Sequence, residues 1–207
     1  MVTGASQGIG KAIAESIAHR RRAQFDDSAQ RNYRLVLVGR NTERGKQVAN
    51  AIQHETNLEV AFEACDVSDF SSVMDLQRRI VLGVGNSEKV QVGILVNDAA
   101  ECPQRQQFVE RPRKTNDNTV SMEQVDKQFA INVLGYHFML TAFSDHFSAD
   151  THVVNVASNW AGDLDLEDLY FQKRRYDNDS AYRQSKQCDR MLSVGWANRL
   201  ANVKVNA

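Results

Sequence analysis

The sequence predicts an α/β protein built on a doubly wound, mostly parallel sheet, and three observations carry that prediction. Short apolar, β-branched runs alternate with stretches of helical periodicity along the chain, which is the pattern of stacked strand–helix–strand units. A glycine-rich turn, Thr3-Gly4-Ala5-Ser6-Gln7-Gly8-Ile9-Gly10, runs straight into one of the helical stretches. Several candidate strands end in polar residues, at the carboxyl edge where open α/β sheets bind ligands. At this length, residues 1–207 are expected to form a single domain.

The elements follow in order. Candidate strands are 34–38, 59–65, 93–97, 152–157 and 203–205. Between them Ile9, Ala12, Ile13, Ser16 and Ile17 recur at helical spacing, as do Val73, Leu76 and Ile80. Segment 121–147 stacks Val125, Phe129, Tyr136, Leu140, Phe143 and Phe147 on one helical face, and Ser121 with Gln124 fits a capping box at its start. Stretches 23–33, 83–91, 102–119 and 162–179 are polar and aperiodic and predict surface loops. Only two or three residues precede the glycine-rich turn, so the first strand is expected to be a stub. The chain also stops just after its last strand. A sheet truncated at both ends is therefore expected.

Composition narrows the functional class. A net charge of -1, with Arg20-Arg21-Arg22 and Lys173-Arg174-Arg175 offset by nearby acids, argues against a nucleic-acid partner. Cys65, Cys102 and Cys188 are odd in number and contain no CxxC, so neither a disulfide framework nor a metal site is expected. A reducing, cytoplasmic setting is the simplest reading. No run approaches the roughly 18 apolar residues of a membrane span, so no membrane anchor is expected in this chain.

Chemistry enters at the glycine turn. Glycine allows left-handed backbone torsions and close approach of a phosphate, and the following helix N-terminus offers free N–H donors to an anion. Gly4, Ser6, Gly8, Ile9 and Gly10 are accordingly candidate dinucleotide contacts, against the alternative of a tight strand–helix connection without a ligand. Strand 34–38 leads into Arg40, placed to meet a 2′-phosphate, which favours NADP(H) over NAD(H). A plain surface arginine is the competing reading. Asp66 and Val67 follow strand 59–65, where a carboxylate could accept from an adenine amino group. Asn97 ends strand 93–97.

Taken together these features resemble the short-chain dehydrogenase/reductase family over essentially the whole chain. TGASQGIG is similar to its TGxxxGxG motif, and Tyr182 with Lys186 to its YxxxK signature. Ser158 ends VVNVAS where the family places a catalytic serine, and Asn132 within FAINVLGY matches its helix asparagine. The 24 residues from Ser158 to Tyr182 resemble the retinol-dehydrogenase-like branch, which carries an extra loop there. The chain departs from the family's NNAG, having Asn97-Asp98-Ala99-Ala100, and it lacks the family's later proline-glycine segment and substrate loop.

The resemblance implies a Rossmann-type fold and an NADP(H)-dependent oxidoreductase, with NAD(H) as the other possible cofactor. The substrate would be a carbonyl or alcohol, lipophilic in character. Tyr182 would donate or accept the proton. A phenol's ordinary pKa of about 10 calls for a nearby cation, and Lys186 lies one helical turn on. Ser158 would hold the carbonyl oxygen, and Asn132 would join a proton relay. A homo-oligomer is compatible with the long helices. The competing expectation is a non-catalytic dinucleotide sensor or interaction protein, and a third is a related epimerase or dehydratase. His137 and His146 read as structural, Cys188 as inert, and Trp160 and Tyr170 as either cleft-lining or packing residues.

Overall fold

The computed structural model describes residues 1–24, 33–83, 90–114 and 120–207. Six parallel strands form one sheet in the order β3-β2-β1-β4-β7-β8. They are β1 (Val2–Thr3), β2 (Arg34–Gly39), β3 (Glu59–Ala64), β4 (Ile94–Asn97), β7 (His152–Asn155) and β8 (Lys204–Asn206). A separate antiparallel ribbon pairs β5 (Phe108–Lys114) with β6 (Val120–Asp126). The helices are α1 (Gly8–Gln24), α2 (Thr42–Thr56), α3 (Phe70–Gly83), a composite α4 spanning 127–143, and α5 (Asn178–Arg199). The doubly wound α/β prediction holds.

Strand β2 explains the layering. Its apolar residues run without interruption because helices cover both faces of a parallel sheet, and successive side chains go to opposite sides. Leu35 and Leu37 pack with Ala14, Ala18, Val48 and Ile52 of α1 and α2. Val36 and Val38 pack with Val73, Leu76, Met139 and Phe143 of α3 and α4. Helix α2 is closed at both ends by asparagine: Asn41 Oδ1 accepts from Arg44 N at 2.9 Å, and Asn57 takes the left-handed φ of 57°. The short β1 lies at the centre, with Val2 opposite both Leu37 and Val96.

Two expectations fail together. Segment 121–126 is a strand, not the first turns of a long helix, and 108–114 within the expected loop is its partner, with Val109 opposite Val125. The helix starts only at Lys127, where Asp126 Oδ1 accepts from Phe129 N at 3.0 Å. Val125 is fully buried and lies four residues before Phe129, so its position suits a helical face and a strand equally. The deciding pairing comes from another part of the chain. Most of the predicted loops 23–33 and 83–91 lies outside the described residues.

Segment 162–177 is irregular, as expected, yet it has its own frame. The Asp168 carboxylate accepts from Gln172 N, Lys173 N and Arg174 N at 2.7 to 3.1 Å. Burial alone would push this carboxyl up, but the three N–H donors and the Arg174 guanidinium outweigh it and hold it below its ordinary range.

Candidate active site

The glycine turn is shaped by torsion in one place and by space in another. Gly4 and Gly8 take φ of 70° and 60°, a region that costs a side-chain-bearing residue strain. A Cβ on Gly4 would lie 2.9 Å from Ala99 N, and one on Gly10 2.7 Å from both Gly4 O and Asp98 Oδ2. A Cβ on Gly8 would meet nothing within 4 Å. Thr3 Oγ1 accepts from Asp98 N and Ala99 N at 3.0 and 3.1 Å, clamping the loop after β4 against the turn.

A cavity of about 330 Å³ runs along the carboxyl edge of the sheet. Gly4, Ser6, Gly8 and Ile9 line its middle, Arg40, Asp66 and Val67 one end, and Tyr182 and Lys186 the other. Gly10 lies behind the lining, against Gly4. Asp66 Oδ1 is engaged by Ser68 N and Oγ at 3.0 and 2.7 Å. The Arg40 guanidinium is ion-paired with Glu101, and Arg44 donates to the side chain of Gln7. Asp98 and Glu101 also line this cavity. Burial pushes the Asp98 carboxyl up to about 6, against the opposing pull of Lys186 and the Gly10 N–H.

At the other end Lys186 is almost fully buried. Its Nζ donates to Val156 O at 2.7 Å, Asp189 Oδ2 at 2.9 Å and Tyr136 OH at 3.3 Å. It stands 6.0 Å from the centre of the Tyr182 ring and 5.0 Å from that of Tyr136. Helix α5 places Tyr182 and Lys186 on one face because they are four residues apart, and its first turn is capped by Asp177, which accepts from Ser180 N.

The remaining candidates sit just outside the cavity. Asn132 lies within a π-helical turn, Ala130–Leu134, of the kind that interrupts helices at functional sites. Its Oδ1 accepts from Glu101 N, while Nδ2 donates to Glu101 O and Ser185 Oγ. It therefore joins the cavity wall to α5. Ser158 Oγ accepts from Trp160 N at 3.1 Å and does not line the cavity, although its neighbours Val156 and Ala157 do. Asn97 is fully buried and donates to Asn155 Oδ1, tying β4 to β7 behind the cavity instead of lining it.

Three participants escape sequence reasoning. Tyr136 counts among the apolar face of its helix, yet its hydroxyl touches Lys186; burial, then the charges of Asp189 and Asp98, hold it well above the phenol range. Asp189 and Glu101 carry no motif. An acid three residues after Lys186 was the available signal. Of the lesser candidates, His137 accepts from Trp196 Nε1, Tyr170 packs edge-on against Phe129, Trp160 is exposed, and the Cys188 thiol is pushed up to about 11 by burial. Among the described residues no cluster suits a metal ion, and no helix is long and apolar enough to cross a membrane.

The family model for short chain dehydrogenases matches residues 1–207. The chain belongs to that family. Among curated proteins this short chain dehydrogenase is similar to retinol dehydrogenase 13 of Mus musculus, 30% identical over all of this chain and 56% of the relative. The chain thus spans a little over half the length of that relative. Among solved structures it resembles an alcohol dehydrogenase from Thermococcus sibiricus complexed with 5-hydroxy-NADP, at a TM-score of 0.66 and 22% identity, covering 98% of this chain and 71% of that one. L-sorbose reductase from Gluconobacter frateurii, complexed with NADPH and L-sorbose, gives 0.67 and 21%, over 99% and 65%. At these identities the structural likeness speaks for the fold.

Proposed function

We propose that this short chain dehydrogenase is an NADP(H)-dependent oxidoreductase acting on a carbonyl or alcohol. The observation that carries the reading is a single cavity lined by the glycine turn at its middle and by Tyr182 and Lys186 at one end. The glycine cradle fits a dinucleotide: a Cβ at Gly4 or Gly10 would close the turn, and Gly8 leaves open space. NADP(H), when bound, supplies or takes up the hydride.

The residues of the chain do the rest. Tyr182 transfers the proton to or from the substrate oxygen, and Lys186 favours the phenolate that remains. Ser158 would steady the carbonyl oxygen by donating its O–H, which the bond it accepts from Trp160 N leaves available. Asn132 keeps the wall at Glu101 and the helix at Ser185 in register. Arg40 would meet a 2′-phosphate in exchange for Glu101, and Asp66 would face the adenine. The name of the mouse relative and the long segment before Tyr182 support a retinol-dehydrogenase-like protein with a lipophilic substrate.

The test combines NADPH binding with a panel of aldehydes and ketones. NADPH oxidation that falls about 10²–10⁴-fold in Tyr182→Phe is expected. Binding without turnover across the panel would instead support the non-catalytic dinucleotide-binding reading, which the absence of Ser158 from the cavity lining favours.

A further inference from the structure

We propose that Asp189 is a positioning residue for the acid–base pair, holding Lys186 and opposing its charge, so that Tyr182 meets one half of an ion pair and not a lone cation. The inference rests on the reading of Tyr182 and Lys186 given above. The two side chains are 2% and 0% exposed and 2.9 Å apart. An ammonium has three N–H donors, and those of Lys186 are taken by Asp189, Val156 O and Tyr136 OH. Any contact of Lys186 with a cofactor ribose must displace one of them.

The α5 backbone at Asp189 is tied to the sheet, while the carboxylate's Oδ1 is buried without a hydrogen-bond partner among the described residues. Asn97 Nδ2 donates to Asn155 Oδ1, Asn155 Nδ2 to Ser193 Oγ, and Ser193 Oγ to the Asp189 carbonyl, each at 2.8 Å. This chain of bonds runs from the end of β4 through β7 to α5. A buried ion pair is a poor route to stability, because desolvating both ions offsets their attraction; its place beside the acid–base pair gives it another use. The other titratable groups around it are Tyr182 and Cys188 on α5, Tyr136 from α4, and Asp98 from the loop after β4. Lys186 is the cation in this set, and Asp189 is the carboxyl bonded to it; burial raises that carboxyl's pKa to about 7, so it carries its charge in the range where a phenol ordinarily ionises.

The test uses Asp189→Asn, which keeps an oxygen for Lys186 and removes the charge. Ionisation of Tyr182 is read in the cofactor-free protein by phenolate difference absorbance, assigned by subtracting Tyr182→Phe. The midpoint is expected to fall by about one pH unit, a roughly tenfold gain of phenolate at fixed pH, and the pH profile of alcohol oxidation should move the same way. An unchanged midpoint, or a rise, overturns the proposal. Asp189→Ser, which also removes the charge, gives the same answer where Asp189→Asn does not fold: the Tyr182 midpoint again falls by about one unit if the proposal holds, and no fall overturns it. The functional reading fails separately, through the absence of NADPH binding and turnover in the unmutated protein.

Discussion

Asp98 takes a negative charge to the place where the glycine turn would hold a phosphate. Its carboxylate accepts from the Gly10 N–H, and burial raises its pKa to about 6. Above that pH it opposes an anion at the start of α1; below, it is neutral. Asp98→Asn should therefore tighten NADP⁺ binding about three- to tenfold at pH 8 and change it little at pH 5, as measured by isothermal titration. The raised pKa has a stability counterpart. Between about pH 4 and pH 6 the folded state keeps a proton that the unfolded chain has released. Asp98 thus costs stability above that window and none below it, so the melting temperature of Asp98→Asn relative to the parent should be higher at pH 8 than at pH 4. The glycines divide in the same physical way. Gly4→Ala meets both a positive φ and a backbone contact at 2.9 Å and should lose about 2–4 kcal/mol. Gly8→Ala meets the torsion alone and should lose about 1–2 kcal/mol by denaturant melting. Both glycines are evident in the motif, but which of them is crowded depends on Ala99, which lies 95 residues away from Gly4.

Helix α4 shows how an element is set by partners outside itself. Its start is fixed by Asp126 and by the β5–β6 ribbon, and its π turn carries Asn132 to Glu101. Just beyond that turn Gly135 lets the helix approach the loop after β3, where a Cβ would lie 2.9 Å from Val67 Cγ2. Gly135→Ala should overpack this contact and cost about 1–3 kcal/mol. Adding Val67→Ala should restore part of the loss, a non-additivity that a double-mutant cycle in urea would measure. Strictly additive losses would place the strain elsewhere. Helical periodicity alone would carry α4 back to Ser121, because spacing along one chain cannot reveal a pairing with 108–114.

For the whole molecule, the cavity joins groups from β1 to α5, so a dinucleotide filling it should stabilise the entire sheet edge. At 100 times its Kd, NADP⁺ would add about 2.7 kcal/mol, a rise of roughly 5–11 °C in melting temperature for a domain of this size. The rise should exceed that with NAD⁺ at equal concentration, and Arg40→Ala should bring the two together; equal shifts in the unmutated protein would remove the 2′-phosphate assignment. The sequence by itself determined the alternation of strands and helices, the left-handed glycines of the turn, and the shared face of Tyr182 and Lys186. These follow from torsions and from neighbours within about one turn. Only the tertiary structure decided that Lys186 is bonded to Tyr136 and to Val156 O, and that Asn132 grips Glu101. A buried polar group must find whatever partner the packing brings within reach. Several of those partners lie on other elements: 50 residues away for Lys186 and Tyr136, and 31 for Asn132 and Glu101.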